Sequence, residues 1–214
     1  MTLLKCQNLG VQRGAQWLFR GLDFELGPRE ILAIVGPSGA GKTTLLRCLA
    51  KLDRPSAGCV DSAMTPSLVP QHLQLCQNLS ASLNIAAGRL GKYSWWRTLA
   101  GLPKEDLIAA DDLLARLGLG EIDDRPVRLL SGGEQRRVAV ARALLHGSPL
   151  VLADEPVSML DQENGRAVLE MMKNELFRHF GSLICVLHDE SLAKAFATRT
   201  LRLGSFADKG WQLS

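Results

Sequence analysis

The sequence predicts an α/β fold with a mostly parallel sheet, an N-terminal antiparallel β lobe and an inserted α-helical lobe. Two apolar runs, Glu30–Val35 and Leu150–Ala153, are continuous rather than alternating, as is typical of strands buried on both faces. Helical patterns separate these runs along the chain, which favours parallel pairing. The segment Leu3–Leu26 alternates apolar and polar residues instead, which indicates antiparallel strands.

Length and composition predict one domain, 1–214, with the helical lobe inserted at about 80–145. The net charge of +3 is too small to indicate a nucleic-acid partner. The five cysteines form no C-x-x-C pair and predict reduced, mostly buried thiols. Met1–Lys5 does not resemble a signal peptide, and no apolar run approaches the roughly 20 residues that span a bilayer. A role at a membrane would therefore need another chain to supply the span.

The remaining elements follow in order along the chain. A turn at Arg13–Gly14 divides the antiparallel segment, and residues 107, 110, 113, 114 and 117 place apolar side chains on one helical face before a C-cap at Gly118. The other predicted elements are a helix at Lys42–Ala50, a turn at Asp53–Gly58, a helix at Gly133–Leu145, a helix at Gln162–Arg178, a strand at Leu183–Leu187, a short helix at Ser191–Ala197 and a C-terminal hairpin.

A Gly-rich loop follows the first buried strand. Gly36-Pro37-Ser38-Gly39-Ala40-Gly41-Lys42-Thr43 fits the pattern G-x-x-x-x-G-K-[ST], and a helix comes after it. Backbone N–H groups in such a loop surround phosphate oxygens, and the helix N-terminus adds partial positive charge. We expect Lys42 to contact the β- and γ-phosphates and Thr43 to offer its hydroxyl to Mg²⁺, with Thr44 beside them. The pattern predicts a P-loop NTPase core.

Two carboxylates, Asp154 and Glu155, follow the second buried strand. In an open α/β sheet, ligands bind at the carboxyl ends of the strands. Asp154 is therefore predicted to hold Mg²⁺, directly or through water. Glu155 is the candidate general base for an attacking water.

A second anion site is predicted at Leu130-Ser131-Gly132-Gly133-Glu134-Gln135. Ser131 and Glu134 have the spacing of a capping box, so a helix begins here. Gly132 and Gly133 leave the first N–H groups of that helix accessible to an anion. One chain thus carries two sites suited to phosphate.

With these motifs in order, the sequence resembles the nucleotide-binding subunit of an ATP-binding cassette (ABC) transporter, over essentially the whole chain. Gln71, after Leu68-Val69-Pro70, matches the Q-loop glutamine of that family. Ser158-Met159-Leu160-Asp161 matches the D-loop, and His188 matches the switch histidine. The predicted fold is then that of an ABC ATPase.

The resemblance implies a mechanism that needs two subunits. ATP and Mg²⁺ would lie between the phosphate loop of one subunit and the Ser131-Gly132-Gly133 turn of the other. Glu155 would polarise water, and His188 would contact the γ-phosphate. Gln71 would sense Mg²⁺ and link to the membrane subunits, and Asp161 would line the dimer seam.

The adenine end departs from the family pattern. An aromatic residue near the end of the first strand usually stacks on adenine, and the corresponding position here is Arg13. Either the guanidinium plane of Arg13 or the ring of Trp17 is the candidate contact. The stretch Gly58–Gln71 is also shorter than usual, which predicts a trimmed antiparallel lobe.

A narrower resemblance concerns the helical lobe. Ala86–Gly91, Trp95–Leu99 and Pro103–Asp106 are similar to the corresponding segments of phosphonate importer ATPases, near the contact with the membrane subunit. The alternative is that Trp95 and Trp96 pack in the core of the lobe.

The resemblance implies a set of partners and a location. The partners would be a second copy or a homologous ATPase, integral membrane permease subunits and a periplasmic substrate-binding protein. The location would be the cytoplasmic face of the inner membrane, as a peripheral subunit importing a phosphonate or a related small oxyanion. The alternatives are an exporter, a lipid-extraction ATPase, a soluble assembly or nucleic-acid ATPase, and a non-catalytic regulatory cassette. Intact Lys42, Glu155 and His188 argue against the last.

Overall fold

The computed structural model describes residues 2–94, 96, 101–158, 160–204 and 210–214. They form two compact units. The first comprises Met1–Gln71, Ser148–Pro156 and Lys173–Ser214, and the second comprises His72–Gly147 and Val157–Met172. Within the described residues, no helix combines the length and apolar character needed to cross a membrane.

The first unit contains two sheets. Its strands are β1 (Leu4–Arg13), β2 (Gln16–Leu26), β3 (Ile31–Val35), β4 (Ala57–Ser62), β5 (Ser67–Val69), β6 (Leu150–Asp154), β7 (Ser182–Val186), β8 (Arg199–Leu203) and β9 (Trp211–Leu213). The larger sheet has the order β5-β6-β7-β3-β8-β9, and all its pairs are parallel except β8–β9. The smaller sheet, β2-β1-β4, is antiparallel. The predicted mostly parallel core with an antiparallel lobe is confirmed.

The central strands are buried because they have neighbours on both sides and helices in the same unit. Every residue of β3, β6 and β7 is buried. Helices α1 (Lys42–Leu49) and α6 (Glu190–Phe196) lie in this unit. The side chains of α1 share one apolar cluster with those of β2, β3 and β7. The buried core therefore fixes the positions of the carboxyl ends of β3 and β6, from which the Gly-rich loop and Glu155 follow.

The second unit is helical. It contains α2 (Ala81–Ala86), a 3-10 helix (Ala87–Lys92), α3 (Lys104–Arg116), a 3-10 turn (Val127–Leu129) and α4 (Gly132–Leu145). The boundary between the units falls inside α5 (Gln162–Arg178). The helix α3 ends as predicted, since the N–H of Gly118 donates to the carbonyl of Ala115. Ala110, Leu113, Leu114 and Leu117 are buried, and Leu107 is half-buried.

Four details differ from the sequence expectations or refine them. Strand β4 begins at Ala57, inside the predicted turn, and β5 was not predicted as a strand. Trp96 is 63% exposed, so it does not pack in a core, and Trp95 lies outside the described residues. All five cysteines are free thiols. Cys6, Cys48 and Cys185 are buried, whereas Cys59 and Cys76 are exposed.

Candidate functional site

The Gly-rich loop joins β3 to α1, and its backbone requires glycine at two positions. Gly36 has φ +145°, and a Cβ there would lie 2.4 Å from the carbonyl oxygen of Leu203. Gly41 has φ +93° and offers no side-chain cap to α1. The first N–H groups of this helix are therefore left for an anion.

Lys42 begins α1 and is held by the loop itself. Its side chain is 6% exposed, and Nζ donates to the carbonyl oxygens of Gly36 at 2.8 Å and Pro37 at 2.9 Å. Burial lowers the pKa of Lys42, while the carboxylates of Glu155 and Asp154 oppose this shift. The loop thus contains a buried amine close to two acidic side chains.

Asp154 ends β6 in a buried environment. It is 3% exposed and accepts a hydrogen bond from the side chain of Thr43, while its Oδ1 has no partner within the described residues. Burial raises the pKa of Asp154. Mg²⁺ prefers carboxylate and other oxygen ligands. An unpaired buried carboxylate oxygen beside a threonine hydroxyl therefore fits this ion.

Glu155 lies between two other residues that the sequence singled out. Its Oε1 is 2.5 Å from Nε2 of His188, and its Oε2 accepts a hydrogen bond of 3.4 Å from Nε2 of Gln71. Its backbone has φ +53°, in the left-handed region that residues other than glycine rarely adopt. The structure thus brings Glu155, His188 and Gln71 together.

Glu155, His188 and the Gly-rich loop border an open cleft of about 400 Å³ in the first unit. It is lined by Ser38, Gly39, Gly41, Lys42, Thr43, Thr44, Glu155 and His188, together with Arg13, Leu18, Arg47 and Asp53. Of the other loop residues, Ala40 is buried, and Gly36 and Pro37 hold Lys42 through their carbonyls.

The two candidates for the adenine end have different positions. Arg13 lines the cleft. Trp17 is outside the set of described residues that line it, and the guanidinium of Arg20 lies 5.1 Å from the centre of its ring. A Cβ added to Gly10 would lie 2.9 Å from the ring of Trp17.

A pair of charged residues in the cleft was missed by the sequence reasoning. Nε and Nη2 of Arg47 donate to the two carboxylate oxygens of Asp53 at 2.7 and 2.8 Å. These hydrogen bonds lower the pKa of Asp53. The available signal was an arginine in the last turn of α1 followed by an acid in the next turn.

The second unit holds the predicted helix cap. Oγ of Ser131 accepts a hydrogen bond from the N–H of Glu134 at 3.3 Å, and Oε2 of Glu134 accepts one from the N–H of Ser131 at 2.7 Å. A Cβ on Gly132 would meet nothing within 4 Å, and one on Gly133 would come 3.0 Å from Leu160. The hydrogen bonds from Ser131 lower the pKa of Glu134.

Asp161 precedes α5 in the same unit. Its carboxylate accepts hydrogen bonds from the backbone N–H of Asn164 at 2.9 Å and from its side-chain amide at 2.6 Å. These bonds lower the pKa of Asp161. Asp161 therefore has a local structural role at the start of the helix.

Comparisons with known proteins agree with this architecture. The family model described as "ABC transporter" matches residues 19–158. The phosphonates import ATP-binding protein PhnC of Wolinella succinogenes is 35% identical, with 94% of this chain and 80% of the relative covered. The PhnC 1 protein of Natronomonas pharaonis is 38% identical, with 94% and 89% covered. The hypophosphite import ATP-binding protein HtxD of Stutzerimonas stutzeri is 34% identical over 92% of this chain, which spans 62% of HtxD.

Two solved structures resemble this chain over most or all of its length. A putative metal-chelate type ABC transporter, in an inward-facing conformation, has a TM-score of 0.89 at 28% identity, with 100% of this chain and 83% of that chain covered. The ATP-binding cassette MJ0796, dimeric in a post-hydrolysis state with ADP and Pi, has a TM-score of 0.80 at 28% identity, with 94% of each chain covered.

The fold and the cleft define a P-loop nucleotide-hydrolysing protein, with the loop after β3 and two carboxylates at the end of β6. The chain belongs to the ABC transporter family, as one of its ATP-binding and ATP-hydrolysing cassettes.

Proposed function

We propose that this chain hydrolyses ATP as one half of a head-to-tail dimer, with a second copy or a homologous cassette. The observation that carries the proposal is the arrangement of Glu155 with His188 and Gln71 beside the phosphate loop. The open turn at Ser131–Gly133 of one subunit would complete the cleft of the other. The dimeric state of the similar cassette MJ0796 supports this arrangement.

Each residue of the cleft has a role in the proposal. Lys42 and the loop N–H groups bind the β- and γ-phosphates. Thr43, Asp154 and Gln71 would hold Mg²⁺, which supplies positive charge to the phosphate oxygens when bound. Glu155 accepts a proton from the attacking water while the oxygen of that water bonds to the γ-phosphorus. The bond between the γ-phosphorus and the bridging oxygen of the β-phosphate breaks, and ADP leaves with that oxygen.

The remaining contacts lie around the nucleotide. His188 donates to the γ-phosphate, Asp161 lines the dimer seam, and Arg13 or Trp17 contacts adenine.

The proposed physiological role is import of a phosphonate or a related small phosphorus oxyanion. This role is supported by the relatives PhnC, PhnC 1 and HtxD, which are phosphonate and hypophosphite import proteins. Permease subunits would cross the membrane, and a periplasmic protein would bind the cargo. The cassette would act at the cytoplasmic face of the cell membrane, where its closure on ATP and its opening after hydrolysis drive the permease between two states.

The test of the ATPase proposal is Glu155→Gln. Loss of a general base lowers kcat by about 10²- to 10⁴-fold, and the variant should accumulate as an ATP-bound dimer in light scattering coupled to gel filtration. Glu163→Gln, at an exposed position in α5, is the matched control and should behave as wild type. Turnover of Glu155→Gln at the wild-type rate, or a variant that stays monomeric with ATP, would contradict the proposal.

The transport role needs a separate test. The tagged chain, expressed in its own host, should co-purify from detergent-solubilised membranes with an integral membrane protein. If no such protein co-purifies, the chain is a soluble ATPase. A periplasmic binding protein encoded beside the chain would favour import over export.

A further inference from the structure

Arg142, near the end of α4, makes an unusual contact within the second unit. Its Nη1 donates to the carbonyl oxygen of Gln74 at 2.8 Å, and its Nη2 donates to that of Leu73 at 2.6 Å. One guanidinium thus binds two consecutive backbone carbonyls that are 68 and 69 residues away along the chain. The planar fork of arginine makes this paired contact, which a lysine ammonium cannot reproduce.

The segment that Arg142 binds is irregular and is held by contacts with other parts of the second unit. Residues 72–79 form no helix or strand, and Gln74 has φ +50°. The buried side chain of Asn84 accepts from the N–H of Cys76 at 2.8 Å and donates to its carbonyl at 3.0 Å. Nearer residue 79, the N–H groups of Arg128 and Val127 donate to the carbonyls of Gln77 and Leu79, both at 3.0 Å. A segment outside helices and strands takes its conformation from such individual contacts. Gln71 is only two residues before Leu73.

The backbone of α4 around Arg142 is also held in place. A Cβ on Gly88 would lie 2.4 Å from the carbonyl oxygen of Arg142, so the 3-10 helix packs closely against the backbone of α4. Nε of Arg89 donates to the carbonyl oxygen of Leu145 at 3.1 Å. Arg142 therefore extends from a part of α4 that is held in place by its neighbours.

The same helix connects this contact to the turn at its N-terminus. Ser131 and Arg142 are 11 residues apart, which corresponds to roughly 16 Å along a helix. Because α4 is a continuous helix of 14 residues, a displacement at Ser131 would move Arg142 as well. Leu73 and Gln74 would move with it.

We propose that Arg142 is a positioning residue that sets the segment after Gln71 and couples it to the Ser131 end of α4. This rests on the proposed function, in which Gln71 acts at the phosphate end of the cleft. Arg142 does not touch nucleotide. It makes the placement of Gln71 depend on the position of α4, and so on whether Ser131 is engaged by the second subunit.

The first test compares Arg142→Gln and Arg142→Lys with wild type in steady-state ATP hydrolysis. Both should lower kcat on the order of 10-fold or more, because small misplacements of catalytic groups are costly, while KM for ATP stays within about 3-fold. Arg166→Gln, an exposed arginine of the same unit, is the control and should retain both parameters. A wild-type kcat for Arg142→Gln would overturn the proposal.

A double-mutant cycle separates positioning from loss of stability. In a Gln71→Ala background, Arg142→Gln should have little further effect on kcat, because both changes remove the same contribution. Multiplicative effects would overturn the proposal.

Hydrogen exchange provides an independent readout of the same contact. In Arg142→Gln the peptide covering residues 71–77 should exchange faster, with protection in α1 and β3 unchanged. Loss of protection throughout the chain would indicate a purely structural role and would overturn the proposal. Failure of the proposed function is distinguishable, since Glu155→Gln would then retain turnover whatever the outcome at Arg142.

Discussion

At the residue scale, Asp154 shows a conflict between stability and activity. Its carboxylate is buried, and Oδ1 has no partner within the described residues. Burial raises the pKa of Asp154 above the value of 3.8 expected for a solvated side chain. The charge therefore costs stability as pH rises from the unfolded-state pKa through the raised folded-state pKa, and the full cost is present above the latter.

The variant Asp154→Asn should therefore raise the melting temperature of the nucleotide-free chain at pH 7 and abolish ATP hydrolysis. Asparagine is uncharged at every pH, so the variant removes the cost of ionising a buried carboxyl, and each kcal/mol gained corresponds to about 2–4 °C in a chain of this size. Scanning calorimetry at pH 4 and pH 7 measures the gain, which should be larger at pH 7. A gain that does not depend on pH would show that the carboxylate charge is not its cause.

A second prediction at the residue scale concerns Arg13. Arg13 lines the cleft and Trp17 is not among the described residues that do, so Arg13 is the favoured contact for adenine. Arg13→Ala should weaken ATP binding by about 2- to 30-fold, the range that corresponds to a cation–π contact. Binding of tripolyphosphate, which lacks the base, should be unchanged in calorimetric titrations. Arg13→Lys should resemble Arg13→Ala if the guanidinium plane matters. If Trp17→Ala weakens ATP binding instead, Trp17 is the base contact.

At the scale of elements, the N-terminus of α4 combines a structural cap with a proposed ligand site. The helix α2 offers a matched comparison, since Ser80 accepts a hydrogen bond from the N–H of Leu83 at 3.2 Å. Ser131→Ala and Ser80→Ala should each reduce the free energy of unfolding by about 1 kcal/mol, the usual value of a helix cap. Only Ser131→Ala should also reduce ATP-dependent dimerisation. Equal effects of both variants on dimerisation, measured by light scattering, would contradict a ligand role for Ser131.

Most elements could be predicted from periodicity and local signals. The bounds of α5 match the sequence prediction, and β3 and β6 follow from their continuous apolar runs. Strand β4 could not be predicted in this way. It is short, all its residues are exposed or half-exposed, and its pairing with β1 determines that it is a strand.

The site also contains some residues that local sequence patterns predict and others that they do not. The loop around Lys42 and the acids after β6 have local patterns that the sequence displays. The contact Arg142–Leu73 depends on packing, since nothing in the local sequence specifies which carbonyl an arginine will meet across 69 residues. The contact Arg47–Asp53 spans only six residues and left a local signal, an acid shortly after the last turn of α1. For Trp96 the sequence left core packing open as an alternative, and its exposure decides against that alternative, because a hydrophobic residue type alone does not predict burial.

At the scale of the whole molecule, nucleotide binding should be visible as stability. ATP with Mg²⁺ at about 100 times Kd should stabilise the chain by about 2.7 kcal/mol, or roughly 5–10 °C in melting temperature. Lys42→Ala should lose most of this shift, because the buried amine is the charge that the loop offers to phosphate. Thermal shift measurements with and without nucleotide test this. An unchanged shift in Lys42→Ala would show that the binding energy comes from elsewhere.

The backbone at Glu155 has a consequence for directed evolution. Its φ of +53° suits glycine or asparagine better than glutamate, so the chain pays for its acid with local strain. A mutant library selected for heat resistance alone should therefore drift at this codon toward Gly or Asn, and the survivors would be inactive. Selection for growth on the transported compound should keep the glutamate. Position 155 would thus tell an experimenter which of the two pressures a population has experienced.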